Sequence, residues 1–268
     1  MMSLILAALI GLLAGTHTAT WGMYKDAPHE GFRLRKYLRS ILLSGFIAPA
    51  LVVLGYPLHG SGSMIVLFGV TYVVERAISE FYKTFIRNED QAKYTIPMQF
   101  AVLGRVVQQR AVRMQVGLAT VVAAAALLAG VSALQRVAGP TPSLPLILAV
   151  GSLGGWFSAV GGAWKDAPIE GFETMKFLRS PFLTALLALG LSSFTNSLPL
   201  MGLASLGFTI AMLETYKTFL FPSRPRGKFA GKPILFPAML ARRTWFVPLF
   251  AGIWILVAAS VAAAALRS

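Results

Sequence analysis

The sequence predicts an all-α membrane protein whose eight transmembrane helices form two parallel four-helix repeats. Three observations lead there. Of the 268 residues, 56% are hydrophobic and only 13% charged, with a mean hydropathy of +0.68, more apolar than a water-exposed globular surface carries. The charges are confined to short segments between long charge-free stretches. A charged motif of seventeen residues occurs twice.

The charge-free stretches run over 1–24, 40–74, 114–135, 137–164, 180–213 and 244–266, and each exceeds or approaches the ~20 apolar residues a helical crossing needs. Two are too long for one crossing. Each of these holds turn chemistry near its middle, Gly55-Tyr56-Pro57-Leu58-His59-Gly60-Ser61-Gly62 in one and Thr195-Asn196-Ser197-Leu198-Pro199 in the other, and so predicts a helical hairpin. The spans are then expected at 3–22, 40–56, 63–82, 114–134, 144–163, 181–195, 200–220 and 245–266. The first lacks the basic flank of a secretory signal, and an equivalent apolar segment precedes the same motif in the second half, so it is expected to be a permanent helix.

Cation placement predicts orientation. Of 24 Lys and Arg, five fall in 24–39, six in 83–113, three in 164–179 and seven in 217–243, leaving only Arg76, Arg136 and Arg267. With eight spans all four basic segments lie on one side, which the positive-inside rule makes cytoplasmic, with both termini outside. The net charge of +14 is therefore assigned to anionic headgroups of the cytoplasmic leaflet, and nucleic acid is not expected as a partner.

The repeat is explicit. Residues 24–40, YKDAPHEGFRLRKYLRS, align without gaps to 164–180, WKDAPIEGFETMKFLRS, with eleven of seventeen identical; Glu80-Phe-Tyr-Lys-Thr-Phe85 matches Glu214-Thr-Tyr-Lys-Thr-Phe219 one hairpin later. A first repeat over 1–136 and a second over 137–268 follow. Four spans per half is an even number, which makes the halves parallel about a pseudo-two-fold axis along the membrane normal. A short linker with Gly139-Pro140-Thr141-Pro142 favours one compact bundle.

The motif supplies the candidate site. Asp26 precedes Ala27-Pro28, a placement suited to an N-cap with proline in the first turn of a new helix. Phe32, Leu34, Tyr37 and Leu38 would then lie on the bilayer surface, with Lys36 and Arg39 sharing a face. Glu80 and Lys83, like Glu214 and Lys217, are i,i+3 neighbours at the end of a span. The structural reading is that these acids pair with nearby cations and lock the loops. The functional reading is a polar cluster facing the axis, binding a substrate or ion through Lys25, Asp26, Glu30, Lys36, Arg39, Glu80 and Lys83 with Lys165, Asp166, Glu170, Lys176, Arg179, Glu214 and Lys217. Such a cluster would hold the phosphate or carboxylate of an anionic small molecule or lipid on its cations, or a divalent cation on its carboxylates. No catalytic residue is assigned, and neither a metal-ligand set nor a cofactor is defined.

Other polar residues have simpler expectations. His17 is assigned to helix packing, since its aligned residue is Phe157, and His59 to a solvated turn. Glu75-Arg76 is expected to reach headgroups. The basic loop Arg224-Pro-Arg-Gly-Lys228, Lys232 and Arg242-Arg243 is expected to attract the anionic leaflet, and the small-residue runs 121–129 and 257–265 to mark helix–helix contacts within or between subunits.

Absence of cysteine excludes disulfides, thiolate nucleophiles and Cys-ligated metals. No phosphate-cradling loop, zinc-protease helix or serine-hydrolase elbow is present. Three function classes stay open. A transporter, channel or lipid translocator would use both motif copies around the axis. A membrane enzyme would act on a lipid or polyprenyl phosphate, and a non-catalytic subunit would scaffold a membrane complex or oligomer. Replacement of Arg33 and Arg35 by Glu173 and Met175 in the second copy leans toward a single off-axis ligand.

Overall fold

The computed structural model describes residues 1–220 and 228–266. Among these residues eight α-helices follow one another: α1 Met2–Glu30, α2 Leu34–Val53, α3 Gly60–Phe81, α4 Arg110–Ala138, α5 Leu144–Glu170, α6 Thr174–Leu191, α7 Leu198–Thr215 and α8 Ala238–Ala265. One π-helical turn continues α3 through Tyr82–Ile86 and another continues α7 through Tyr216–Leu220. An antiparallel hairpin of β1 Ala101–Val102 and β2 Arg105–Val106 precedes α4, with Ala101 opposite Val106. The chain is an all-α protein, and six of the helices (α1, α2, α4, α5, α7 with its π turn, and α8) are long and apolar enough to cross a membrane.

The two outside that set have identifiable reasons. α3 is the most enclosed helix, with Val66, Leu67, Val70 and Tyr72 all fully buried, so its environment is protein and it tolerates Thr71, Glu75, Arg76 and Ser79. α6 opens with Lys176 and Arg179 and is apolar only beyond Ser180.

Helices α1 and α5 overrun the expected ends at residues 22 and 163, continuing to Glu30 and Glu170. Asp26 is thus an interior helical residue and not an N-cap, and the next helix begins after Gly31, at Leu34. Pro28 should break such a helix, because it cannot donate to the carbonyl four residues back. In α1 that carbonyl, on Tyr24, instead accepts a 3.0 Å hydrogen bond from Arg243 Nε. At ~1.5 Å per residue α1 is about 43 Å long, more than the ~30 Å of a hydrocarbon core.

Small residues set the packing. A Cβ on Gly11 or Gly15 would collide with the Ser44 carbonyl or the Ser40–Ile41 backbone of α2, and one on the aligned Gly151 or Gly155 with Ala188 or Pro181 of α6. This close approach makes α1 with α2, and α5 with α6, the two most extensive helix pairs. Between them α3 crosses α7: a Cβ on Gly69 would sit 2.8 Å from the Ala204 carbonyl oxygen, and one on Gly207 would strike the Gly69 carbonyl. The runs expected at helix contacts make few of them within this chain. Most of 121–129 and of 257–265 is exposed on this chain; α8 packs through Phe250, Ile253 and Ala264.

His17 is buried, as expected of a packing residue: its Nδ1 lies 3.1 Å from Tyr72 Oη, which also accepts from Trp21 Nε1 at 2.8 Å. The ring stacks on Phe250 at 4.2 Å. His59 is exposed in the α2–α3 turn.

Candidate functional site

The charged residues gather at one end of the bundle, where α1, α3, α5 and α7 end and the loops after α3 and α7 meet. These loops are joined: Thr95 N donates to the Lys228 carbonyl at 2.7 Å, Lys232 Nζ to the Ala92 carbonyl at 2.8 Å, and Tyr94, Met98 and Phe229 form a small core of their own. The Lys228 ammonium, outside the spans, is pushed down by burial but more strongly up by Asp26 and Glu30, so it titrates above the usual lysine range.

At the first motif copy, Lys228 Nζ lies 2.8 Å from Asp26 Oδ2 and 3.1 Å from Glu30 Oε1, over the rings of Phe229 at 4.7 Å and Tyr94 at 5.4 Å. Lys36 also pairs with Glu30. Leu235 N and Phe236 N both donate to the Pro28 carbonyl, at 3.0 and 2.9 Å. The Phe236 ring covers Gly31, 3.2 Å from where a Cβ would stand. Arg39 is exposed and outside this group.

At the second copy, Lys176 Nζ is the one cation among the described residues that serves both acids, 2.9 Å from Glu170 and 3.6 Å from Asp166. The segment lying against this helix end is the β1–β2 region, where Ala101 O accepts from Trp164 Nε1 at 2.9 Å and Gly104 abuts Pro168 and Ile169. It delivers no ammonium comparable to Lys228. A cavity of about 140 Å³ remains, bounded by α5, α6 and the end of α7, with Asp166, Glu173, Lys176, Arg179 and Lys217 in its wall. Arg179 Nε is buried there without a hydrogen-bond partner.

Between the copies, Glu214 is shared by Lys25 at 3.6 Å and Lys217 at 3.5 Å. Glu80 takes Lys83 at 3.0 Å together with Arg76, and Lys165, 3.5 Å from Met98 Sδ, bears electrostatically on Glu80. The aligned Lys25 and Lys165 thus each bear on the carboxylate of the other half. Arg76 also lies over Trp21 at 5.2 Å, so the headgroup-reaching role expected of Glu75-Arg76 is corrected: Arg76 is an internal ion-pair partner, and Glu75 is fully buried against Ser79 Oγ at 2.8 Å. The i,i+4 spacing of Arg76 and Glu80 was the available signal. Lys228 had none, being 198 residues from Glu30. Of the basic loop, Arg224 and Arg226 lie outside the described residues, as does Arg267.

Among the described residues no three acids or histidines converge as a metal site. Each motif carboxylate except Glu173 has an ammonium or guanidinium beside it. The cavity between α5, α6 and α7 lies off the α3–α7 contact, and a wider opening of about 520 Å³ lies in the loop after α3, at 88–92 with Gln99 and Gln108. No protein-family model matches the chain, and no curated protein or solved structure matches it either.

Proposed function

We propose that the chain is a membrane lipid translocator of eight spans, built as parallel repeats over 1–136 and 137–268, with its termini outside and its charged end at the cytoplasmic leaflet. On this reading α3 and α6 also cross: at ~1.5 Å per residue their 22 and 18 residues reach about 33 and 27 Å. Matching local geometry supports the repeat. Gly31 and Gly171 end their helices at φ 75° and 84°, both halves carry the π turn, and the glycine pairs that seat α2 and α6 align.

The observation that carries the translocator reading is where the space is. The α3–α7 contact is closed by backbone meeting backbone at Gly69 and Gly207, leaving little room for an ion path there. The charged cavity sits to the side, between α5, α6 and α7. A site at a helix edge near the headgroup level suits a phospholipid, which can keep its chains in the bilayer while its headgroup is held.

The test is reconstitution into vesicles containing a trace of head-labelled phospholipid, with leaflet exchange followed by impermeant quenching and ion conductance recorded in parallel. The reading expects exchange without conductance. Conductance without exchange would favour a channel; chemical conversion of a lipid phosphate would favour the enzyme; neither would leave the scaffold reading.

A further inference from the structure

The motif copies share their acids but not the cations that serve them. In the first, Asp26 and Glu30 hold two ammonium groups, Lys36 and Lys228. In the second, Asp166 and Glu170 hold one, Lys176, and Glu173 stands where the first copy has Arg33. Of these acids Asp166 and Glu173 line the cavity, with Lys176 as the one ammonium paired to Asp166. The same cavity is lined by two further cations: Arg179 has a buried, unpartnered Nε, and Lys217 is held only loosely, 3.5 Å from a Glu214 that Lys25 also serves.

We propose that this cavity binds an aminoalkyl phosphate, the headgroup of an aminophospholipid, with its ammonium on Asp166 and its phosphate on Arg179 and Lys217. Lys228 is the internal template for the ammonium. It shows that the Asp-x-x-x-Glu pair accepts a second primary ammonium, and that the pocket beside it offers aromatic faces, Phe229 and Tyr94. The second copy offers Phe172 and Phe177 in the cavity wall, 5.3 Å apart. A primary ammonium matches a carboxylate with N–H donors that a quaternary one lacks. A guanidinium in the same cavity gives the phosphate its own planar donor group and so fixes the headgroup's orientation. The inference rests on the translocator reading for its biological sense but not for its test.

The purified full chain is titrated in lipid nanodiscs containing phosphatidylethanolamine, phosphatidylcholine or phosphatidylglycerol, and in detergent with O-phosphoethanolamine or inorganic phosphate. Native mass spectrometry reads occupancy and thermal melting reads stabilisation. Phosphatidylethanolamine should bind about tenfold or more tightly than the other two lipids, about 1.4 kcal/mol. Asp166→Asn should remove the ethanolamine preference while leaving phosphatidylglycerol binding in place, and Arg179→Gln should weaken every phosphate-bearing probe. Glu173→Arg, an exposed change that puts the first copy's residue into the second, should weaken phosphatidylethanolamine without lowering the melting temperature of the ligand-free protein. Preference for O-phosphoethanolamine over the lipid would assign the chemistry to a free metabolite. Equal binding of phosphatidylglycerol, or an ethanolamine preference that survives Asp166→Asn, would overturn the ammonium subsite. Lipid exchange without headgroup preference would sink this inference alone, whereas bound phosphatidylethanolamine with no exchange would sink the translocator alone.

Discussion

The first motif copy is closed by its own chain and the second is not, although eleven of seventeen residues are the same. What differs is the loop brought to each. The segment before and into α8 gives the first copy Lys228, the backbone of Leu235 and Phe236, and Arg243. The hairpin before α4 gives the second copy a carbonyl and a glycine. An Asp and a Glu at the same spacing are therefore held by two ammonium groups in one place and by one in the other. Shared residues do not by themselves set shared roles; the partner delivered from elsewhere in the chain decides.

The largest effect that would test this contrast is removal of the clamp. Lys228→Met leaves Asp26 and Glu30 with a single ammonium in a site whose side chains are only 11–20% exposed, and should cost about 2–4 kcal/mol, near the range for breaking a buried pair. Lys176→Met, at a site exposed by 26–38%, should cost about 1 kcal/mol or less. Denaturant or thermal unfolding of the two variants reads the difference, and equal losses would break the comparison. The pH dependence has a defined sign. A lysine whose folded pKa is raised stabilises fully below its unfolded value, 10.5, and the contribution is lost only as pH climbs through the raised value. The gap between Lys228→Met and the parent should therefore be constant across neutral and mildly alkaline pH.

Glycine substitution gives the next effect. Gly31 and Gly171 both have positive φ with extended ψ, 75°/162° and 84°/164°, a region that costs other residues about 1–3 kcal/mol. Gly171→Ala should show that strain alone, since nothing lies within 4 Å of its Cβ position. Gly31→Ala adds crowding against Phe236, and Phe236→Ala should relieve the excess. Melting of the two single variants and the Gly31→Ala/Phe236→Ala pair would show whether the loop is the source.

Arg243→Met should have a smaller effect, about 1–2 kcal/mol, by orphaning the Tyr24 carbonyl that Pro28 leaves free. Hydrogen exchange should then report faster opening at residues 24–30 but not at 164–170.

Much of the helix order was legible because charge-free length and turn chemistry act locally: the turns at 55–60 and 195–197 separate α2 from α3 and α6 from α7. Helix ends were less legible. Asp-Ala-Pro has the local chemistry of a helix start, yet α1 runs through it, because the carbonyl that Pro28 leaves free is satisfied by Arg243, 219 residues away. Glu75 is buried for a similar reason: the helices that cover it come from outside its own segment, so a carboxylate near a span end reads as solvated from sequence. Within the chain close helix contacts lie at Gly11-x-x-x-Gly15 and Gly151-x-x-x-Gly155, in front of the motif, and not at the alanine-rich runs. Periodicity shows where a small face exists but not which face meets a partner.

The aligned arginines Arg39 and Arg179 offer the most direct test of the central claim, that one copy is a clamp and the other a headgroup site. Labelled phosphatidylethanolamine exchange in vesicles is compared for Arg39→Gln and Arg179→Gln at matched protein density. The account predicts that Arg179→Gln slows exchange about tenfold or more, equivalent to ~1.4 kcal/mol on the barrier, while Arg39→Gln changes it less than about twofold. Equal slowing by both, or unchanged exchange in Arg179→Gln, would contradict it.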